Sequence, residues 1–160
     1  MSPPTPAGLL EEHPRALLDA VDASFARWLQ GRVGHVIGAA GLRLTEAESA
    51  GVSGAVAAAA ASLRTELRGL LATDVDEQRQ NPLHVLRAAA VTVNPFLRSL
   101  GVEPARRDEF ETRAMPDDEF ALGPLAWIDL GDAVHEAGIT WGAWKAATVL
   151  MRRRAEGKVQ

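Results

Sequence analysis

Apolar residues recur at helical spacing through the first half of the chain. Leu17, Leu18, Val21, Phe25, Trp28, Leu29, Val33, Val36 and Ile37 mark one side of a helix predicted from Pro14 to Ala40. Pro14 suits a first turn, where its missing N–H is no loss. Gly41 stands where a helix ends in a left-handed residue, and Leu42 is then placed to meet Ile37 in a Schellman ending. Thr45 and Glu48 have capping-box spacing. They open a second helix running to about Ala72, with Val52, Val56, Ala59, Leu63, Leu67, Leu70 and Leu71 on one side. At about 26 residues each, the two helices are roughly 39 Å long. The short turn between them predicts an antiparallel hairpin.

Residues 73–80 form a polar connector. Asn81-Pro82 then starts a third helix, with Asn81 as N-cap and Pro82 at the first helical position. A second Asn-Pro pair, Asn94-Pro95, either kinks that helix or ends it at Val93 and starts a new turn capped by Asn94. Gly101 ends the segment, with Val102 set to meet Leu97. A short helix is predicted over 104–114 with Phe110 inward. Residues 116–119 read as an acidic loop, and residues 120–138 as helical turns broken by Gly123-Pro124, Gly131 and Gly138. A last helix is predicted from near Thr140 to Ala155, where Trp141, Trp144, Thr148 and Met151 share a side. No stretch alternates convincingly at period two. The expected fold is all-α: one helical-bundle-like domain over 14–156, a long hairpin with three or more shorter helices on it, a flexible tail at 1–13 and another at 157–160.

A second face of the first helix carries Ala16, Ala20, Ala23, Gly31, Gly34 and Gly38, with Gly41 beyond it. Each Gly inside a helix costs roughly 1 kcal/mol against Ala. Three of them predict close approach of another backbone, and the Ala-rich middle of the second helix, 55–61, is a matching surface. A hinge or ligand groove is the other reading of the same glycines.

Composition narrows the function classes. At 160 residues with 47% apolar residues, the chain is long enough for a real core. A net charge of −4 argues against nucleic acid as a partner. Without cysteine there is no disulfide, thiolate catalysis or cysteine-based metal site. The start lacks the pattern of a signal peptide, and no apolar run is long enough to span a bilayer, so a cytoplasmic protein without a membrane partner is expected. Fifteen of the 17 basic residues are Arg, a bias that points to a high-GC, actinobacterial-type genome.

Charge is unevenly placed. Residues 103–136 hold ten acidic residues and three Arg, a net of −7, and residues 137–160 carry a net of +4. The two blocks are suited to attract each other within the domain or across a dimer, though exposed pairs contribute little individually.

The most informative stretch is 81–95. Asn81, His84 and Arg87 advance in threes and stay on one flank of the third helix, beside its apolar stripe. Polar groups so placed form either a buried hydrogen-bond network or a binding site. The Arg87 stem is expected on apolar surface, its head on Asp108, Asp117 or Glu136. Asp117, Asp118 and His135-Glu136 complete the candidate polar set. Crowded carboxylates at 117–119 favour a raised pKa only if buried, and in an exposed loop they stay solvated. No His pair has metal-binding helical spacing, no Gly-x-Ser-x-Gly elbow is present, and no phosphate loop occurs. Arg152-Arg153-Arg154 complement a helix C-terminus. Trp127, Trp141 and Trp144 read as core of the C-terminal half or as the wall of a ligand pocket.

From Asp76 onward the chain resembles a family of small uncharacterised actinobacterial proteins. The words that carry the likeness are Asn81-Pro82-Leu83, Arg107-Asp108-Glu109-Phe110, Met115-Pro116-Asp117-Asp118 and His135-Glu136-Ala137-Gly138-Ile139-Thr140-Trp141-Gly142, followed by Lys145-Ala146. The likeness covers about the C-terminal half and implies no activity. The leading expectation is a non-enzymatic homo-oligomeric association or accessory protein, a homodimer with or without a further protein partner. The alternative is a small-molecule-binding protein or enzyme with a polar pocket formed by the third helix and the 115–136 region, using Asn81, His84, Arg87, Asp117, Asp118, His135 and Glu136. No catalytic residue, metal or cofactor is assigned.

Overall fold

The computed structural model describes residues 11–123 and 126–157. These residues are 74% helical and include no strand. The helices are α1 (Glu12–Ala39), α2 (Glu46–Ala72), α3 (Pro82–Ala90), α4 (Asn94–Ser99), α5 (Glu109–Ala114) and α6 (Asp132–Ala155), with 3-10 turns at Val91–Val93 and Trp127–Leu130. The all-α expectation holds. Of the expected tail at 1–13, residues 1–10 lie outside the described residues, and α1 begins two residues before Pro14.

Local signals set most of the element ends. Leu42 N–H donates to Ile37 O (3.3 Å) and Gly41 N–H to Gly38 O (3.0 Å), with Gly41 at φ +72°, the Schellman ending of α1. Thr45 and Glu48 make both halves of the capping box. Asn81 Oδ1 accepts from Leu83 N–H (2.9 Å) at the start of α3. Gly101, at φ +83°, ends α4, and Val102 N–H donates back to Leu97 O.

α1 packs on both α2 and α6, and α3 packs against α2. Arg64 pairs with Asp22, as an antiparallel α1/α2 hairpin requires. His13, at the start of α1, meets Trp144, and Arg152 reaches Asp74 and Asp76 beyond the end of α2. α6 therefore also runs antiparallel to α1. The core joins Leu17, Val21, Phe25, Leu29 and Val33 of α1 to Val56, Leu63 and Leu67 of α2, Leu86 of α3, and Phe120, Leu122 and Val134.

Four expectations are corrected. The glycines of α1 do not face α2. A Cβ added at Gly31, Gly34 or Gly38 would meet no atom within 4 Å, and all three are exposed. The apolar residues of α1 take both helical neighbours to one side and leave the glycine line outward. Phe110 is 78% exposed, because α5 is only six residues long and buries none of them. Of the two readings of Asn94-Pro95, the new turn capped by Asn94 fails: α3 passes through the 3-10 turn at Val91–Val93 into α4, and Asn94 is the first residue of that helix, with Val93 as cap. Finally, α6 starts at Asp132 and runs through Gly138, whose missing side chain makes room for the Trp127 indole. Trp141 is buried, and Trp127 and Trp144 are half-buried against the core.

Candidate functional site

Residues 115–123 form a compact turn over the end of the bundle, and most of the candidate polar residues meet there. Asp118 N–H donates to Met115 O and Ala121 N–H to Asp118 O, two successive reverse turns (3.2 Å each). Phe120 and Leu122 anchor the segment in the core. Asp118 is drawn in with them to 4% exposure, against the expectation of a solvated loop carboxylate. Its Oδ1 accepts from Leu122 N–H (2.7 Å) and its Oδ2 from Gly123 N–H (2.8 Å). Both oxygens thus serve backbone donors that no regular element satisfies.

Ala121 sits at φ +55°. A non-glycine residue in the left-handed region is strained by roughly 1–2 kcal/mol and persists only where its surroundings enforce it. Here they do. Arg32 of α1 donates to Ala121 O (2.8 Å), Arg107 to Met115 O (2.6 Å) and Asn94 Nδ2 to Asp117 O (2.8 Å). Ala105 N–H donates to Glu119 O (2.8 Å), and the Arg98 guanidinium pairs with the Glu119 carboxylate. That pairing holds Arg98 above its ordinary value. The turn is held from α1, α4 and the segment before α5.

On its α3 side the turn closes a cleft of about 230 Å³ lined by His84, Arg87, Val91, Met115, Asp117 and Asp118. Four of the seven predicted residues therefore share one concavity. The step of three places His84 and Arg87 on the same flank of α3, and the Met-Pro-Asp-Asp run brings Asp117 and Asp118 to them. His84 and Asp117 are exposed and Arg87 is half-buried. A Cβ added at Gly123 would lie 3.2 Å from Asp118 Oδ2 and 3.5 Å from Arg87 Cγ, so the glycine lets the Arg87 stem lie close against the turn.

The other three stand apart. Asn81 is the α3 cap. His135 and Glu136 occupy the first turns of α6, and neither lines the clefts beside Asp118. Among the described residues no group of three His, Asp or Glu side chains is arranged to hold a metal ion.

On the α1 side the same turn borders a larger cleft, about 500 Å³, to which Trp28, Arg32, Arg107 and Met115 contribute. Sequence reasoning had placed Trp28 in the core and given Arg32 no role. The one local signal was the spacing of four that sets an indole and a guanidinium on one flank of α1.

No family model, curated protein or solved structure matches this chain.

Proposed function

We propose that this protein binds a small polar molecule in the cleft between α3 and the 115–118 turn. The observation that carries the reading is the convergence of His84, Arg87, Asp117 and Asp118 from two distant stretches of sequence on one concave surface. Asp118 spends its carboxylate on backbone N–H groups. His84, Arg87 and Asp117 also line the cleft, with the donors of α3 opposite the carboxylate of the turn. At about 230 Å³ the cleft is smaller than the ~300–1,000 Å³ usual for drug-sized ligands, which favours a small metabolite. These groups orient and discriminate, and they supply no pair of nucleophile and base.

A ligand-dependent melting screen tests this. A ligand at a hundredfold excess over its Kd stabilises by about 2.7 kcal/mol, a rise of roughly 5–10 °C for a chain of this length. His84→Ala and Asp117→Asn alter exposed side chains, so both are expected to leave the unliganded melt within about 0.5 kcal/mol and to remove the shift. A shift that survives both substitutions refutes the reading.

A second reading, a homodimer, draws on a separate observation. Phe110 (78% exposed) projects from the acidic α5, and Leu150 and Met151 (70% exposed) project from the basic end of α6. Two copies that set α5 of one on α6 of the other bury these side chains and bring opposite charges together. Sedimentation equilibrium at micromolar protein and two salt concentrations tests it. A monomer in both salts refutes it, and a dimer lost only at high salt assigns the association to charge rather than to apolar burial.

A further inference from the structure

Four of the 15 arginines pair with carboxylates among the described residues. Arg64, Arg98, Arg113 and Arg152 are all exposed or nearly so, and each has an acidic partner. Arg32 and Arg107 differ in place as well as in partner. Both are half-buried, both line the cleft on the α1 side of the turn, and among the described residues neither lies in an ion pair. Each donates to one backbone carbonyl of the turn, Ala121 O and Met115 O. A guanidinium has five N–H donors in a planar fork, so most of each remains available.

The carboxylates of Asp118, Asp129 and Glu111 share the cleft wall. Asp118 is engaged by Leu122 and Gly123 N–H, and Asp129 Oδ2 accepts from Ala126 N–H. Glu111 stands at the rim, exposed. Arg32 and Arg107 meet backbone carbonyls rather than carboxylates at bonding distance, and an incoming oxyanion supplies the charge-assisted partner that a carbonyl does not. The rest of the wall is apolar: Trp28, one helical turn from Arg32, and Met115. An anionic head between the guanidiniums leaves its body against an indole and a thioether. The volume, about 500 Å³, admits a molecule of that size.

We infer that this cleft is a second binding site, separate from the α3 cleft, and that it takes a small aromatic oxyanion, a carboxylate or a phosphate ester, with the head on Arg32 and Arg107 and the ring against Trp28. Charge-assisted bonds from two planar forks suit either head group.

The test titrates the full ¹⁵N-labelled chain with benzoate, phenyl phosphate and inorganic phosphate, following the Trp28 indole N–H and the Nε–H signals of Arg32 and Arg107. Benzoate or phenyl phosphate is expected to move all three saturably, with a Kd of about 1 mM or tighter. The tighter of the two identifies the head group. Inorganic phosphate, lacking the ring, is expected to bind at least about tenfold more weakly. Arg107→Gln is expected to weaken the aromatic anion about tenfold. Glu111→Gln, a change at an exposed rim position that holds the fold, is expected to tighten it about threefold by removing one competing charge from the rim. His84→Ala and Asp117→Asn, which report on the α3 cleft, are expected to leave these shifts in place. The inference is overturned if neither aromatic anion moves the three signals by about 10 mM. It is also overturned if the shifts survive Arg107→Gln, if Glu111→Gln weakens binding, or if inorganic phosphate binds as tightly as the aromatic anions.

Discussion

Replacing Asp118 with Ala tests whether the 115–123 turn is held as the hydrogen bonds imply. The carboxylate is buried and accepts from Leu122 N–H at 2.7 Å and Gly123 N–H at 2.8 Å. A bond to a charged group contributes about 1.5–3 kcal/mol, and a buried donor left unsatisfied costs about 1–3 kcal/mol. Leu122 is wholly buried, so its N–H has little access to replacement water, whereas Gly123 is half-exposed and recovers part of its loss. The expected loss for Asp118→Ala is therefore about 3–4 kcal/mol rather than the full sum of both terms. For a chain of this length that lowers Tm by about 10 °C. Asp118→Asn keeps one acceptor oxygen and turns an NH₂ toward the other donor, so about half that loss is expected. Urea unfolding followed by circular dichroism gives the free energies, and amide exchange at Leu122 and Gly123 reports the turn itself. With the carboxylate gone, Ala121 has one fewer constraint against its strained φ, so exchange is expected to rise through 119–123 before global unfolding. A loss under about 0.5 kcal/mol with the Leu122 amide still protected refutes the reasoning.

The glycines of the long helices give opposite expectations. Gly34→Ala meets no atom within 4 Å and should stabilise by up to about 1 kcal/mol in a urea melt, since it only removes the helix cost of glycine. Gly138→Ala would put a Cβ 2.7 Å from Cγ and Cδ1 of Trp127, the root of the indole rather than its free end, and should cost a net of about 1–2 kcal/mol together with a changed Trp fluorescence. The Asp74 carboxyl is held below its ordinary 3.8, first by the Asp76 N–H and then by Arg152. Its contribution to stability is present above the unfolded-state value and lost as pH falls through the lowered folded value. A carboxyl NMR titration should find that depressed midpoint, and Arg152→Gln should return it only part of the way; a full return contradicts the leading role of the backbone donor.

The boundary between what the sequence revealed and what it concealed follows the range of the interactions. The Schellman ending at Gly41, the capping box at Thr45 and the Asn81 cap are each decided within six residues, so composition at those positions was enough. The glycines at 31, 34 and 38 were misread because spacing alone does not say on which side of a helix its neighbours lie. The apolar line of α1 carries that information, and it points away from them. Phe110 was read as core because apolar residues usually are, yet a helix of six residues that buries none of them has no face to turn inward.

The site divides in the same way. His84 and Arg87 were legible as one flank of a short helix. Their meeting with Asp117 and Asp118 depends on a turn whose shape is enforced from far away in sequence. Arg32 reaches Ala121 across 89 residues and Asn94 reaches Asp117 across 23. Ala121 gives no hint of its left-handed backbone, since that conformation ordinarily selects glycine. Asp118 looked like one of three solvated carboxylates until Phe120 and Leu122 drew it below the surface. One compact turn thus separates two clefts, the α3 side lined by His84, Arg87 and Asp117, the α1 side by Trp28, Arg32, Arg107 and Glu111. Because Met115 and Asp118 belong to both walls, a ligand that orders the turn from one side lowers the conformational cost of ordering it from the other, and occupancy of the two clefts should be positively coupled.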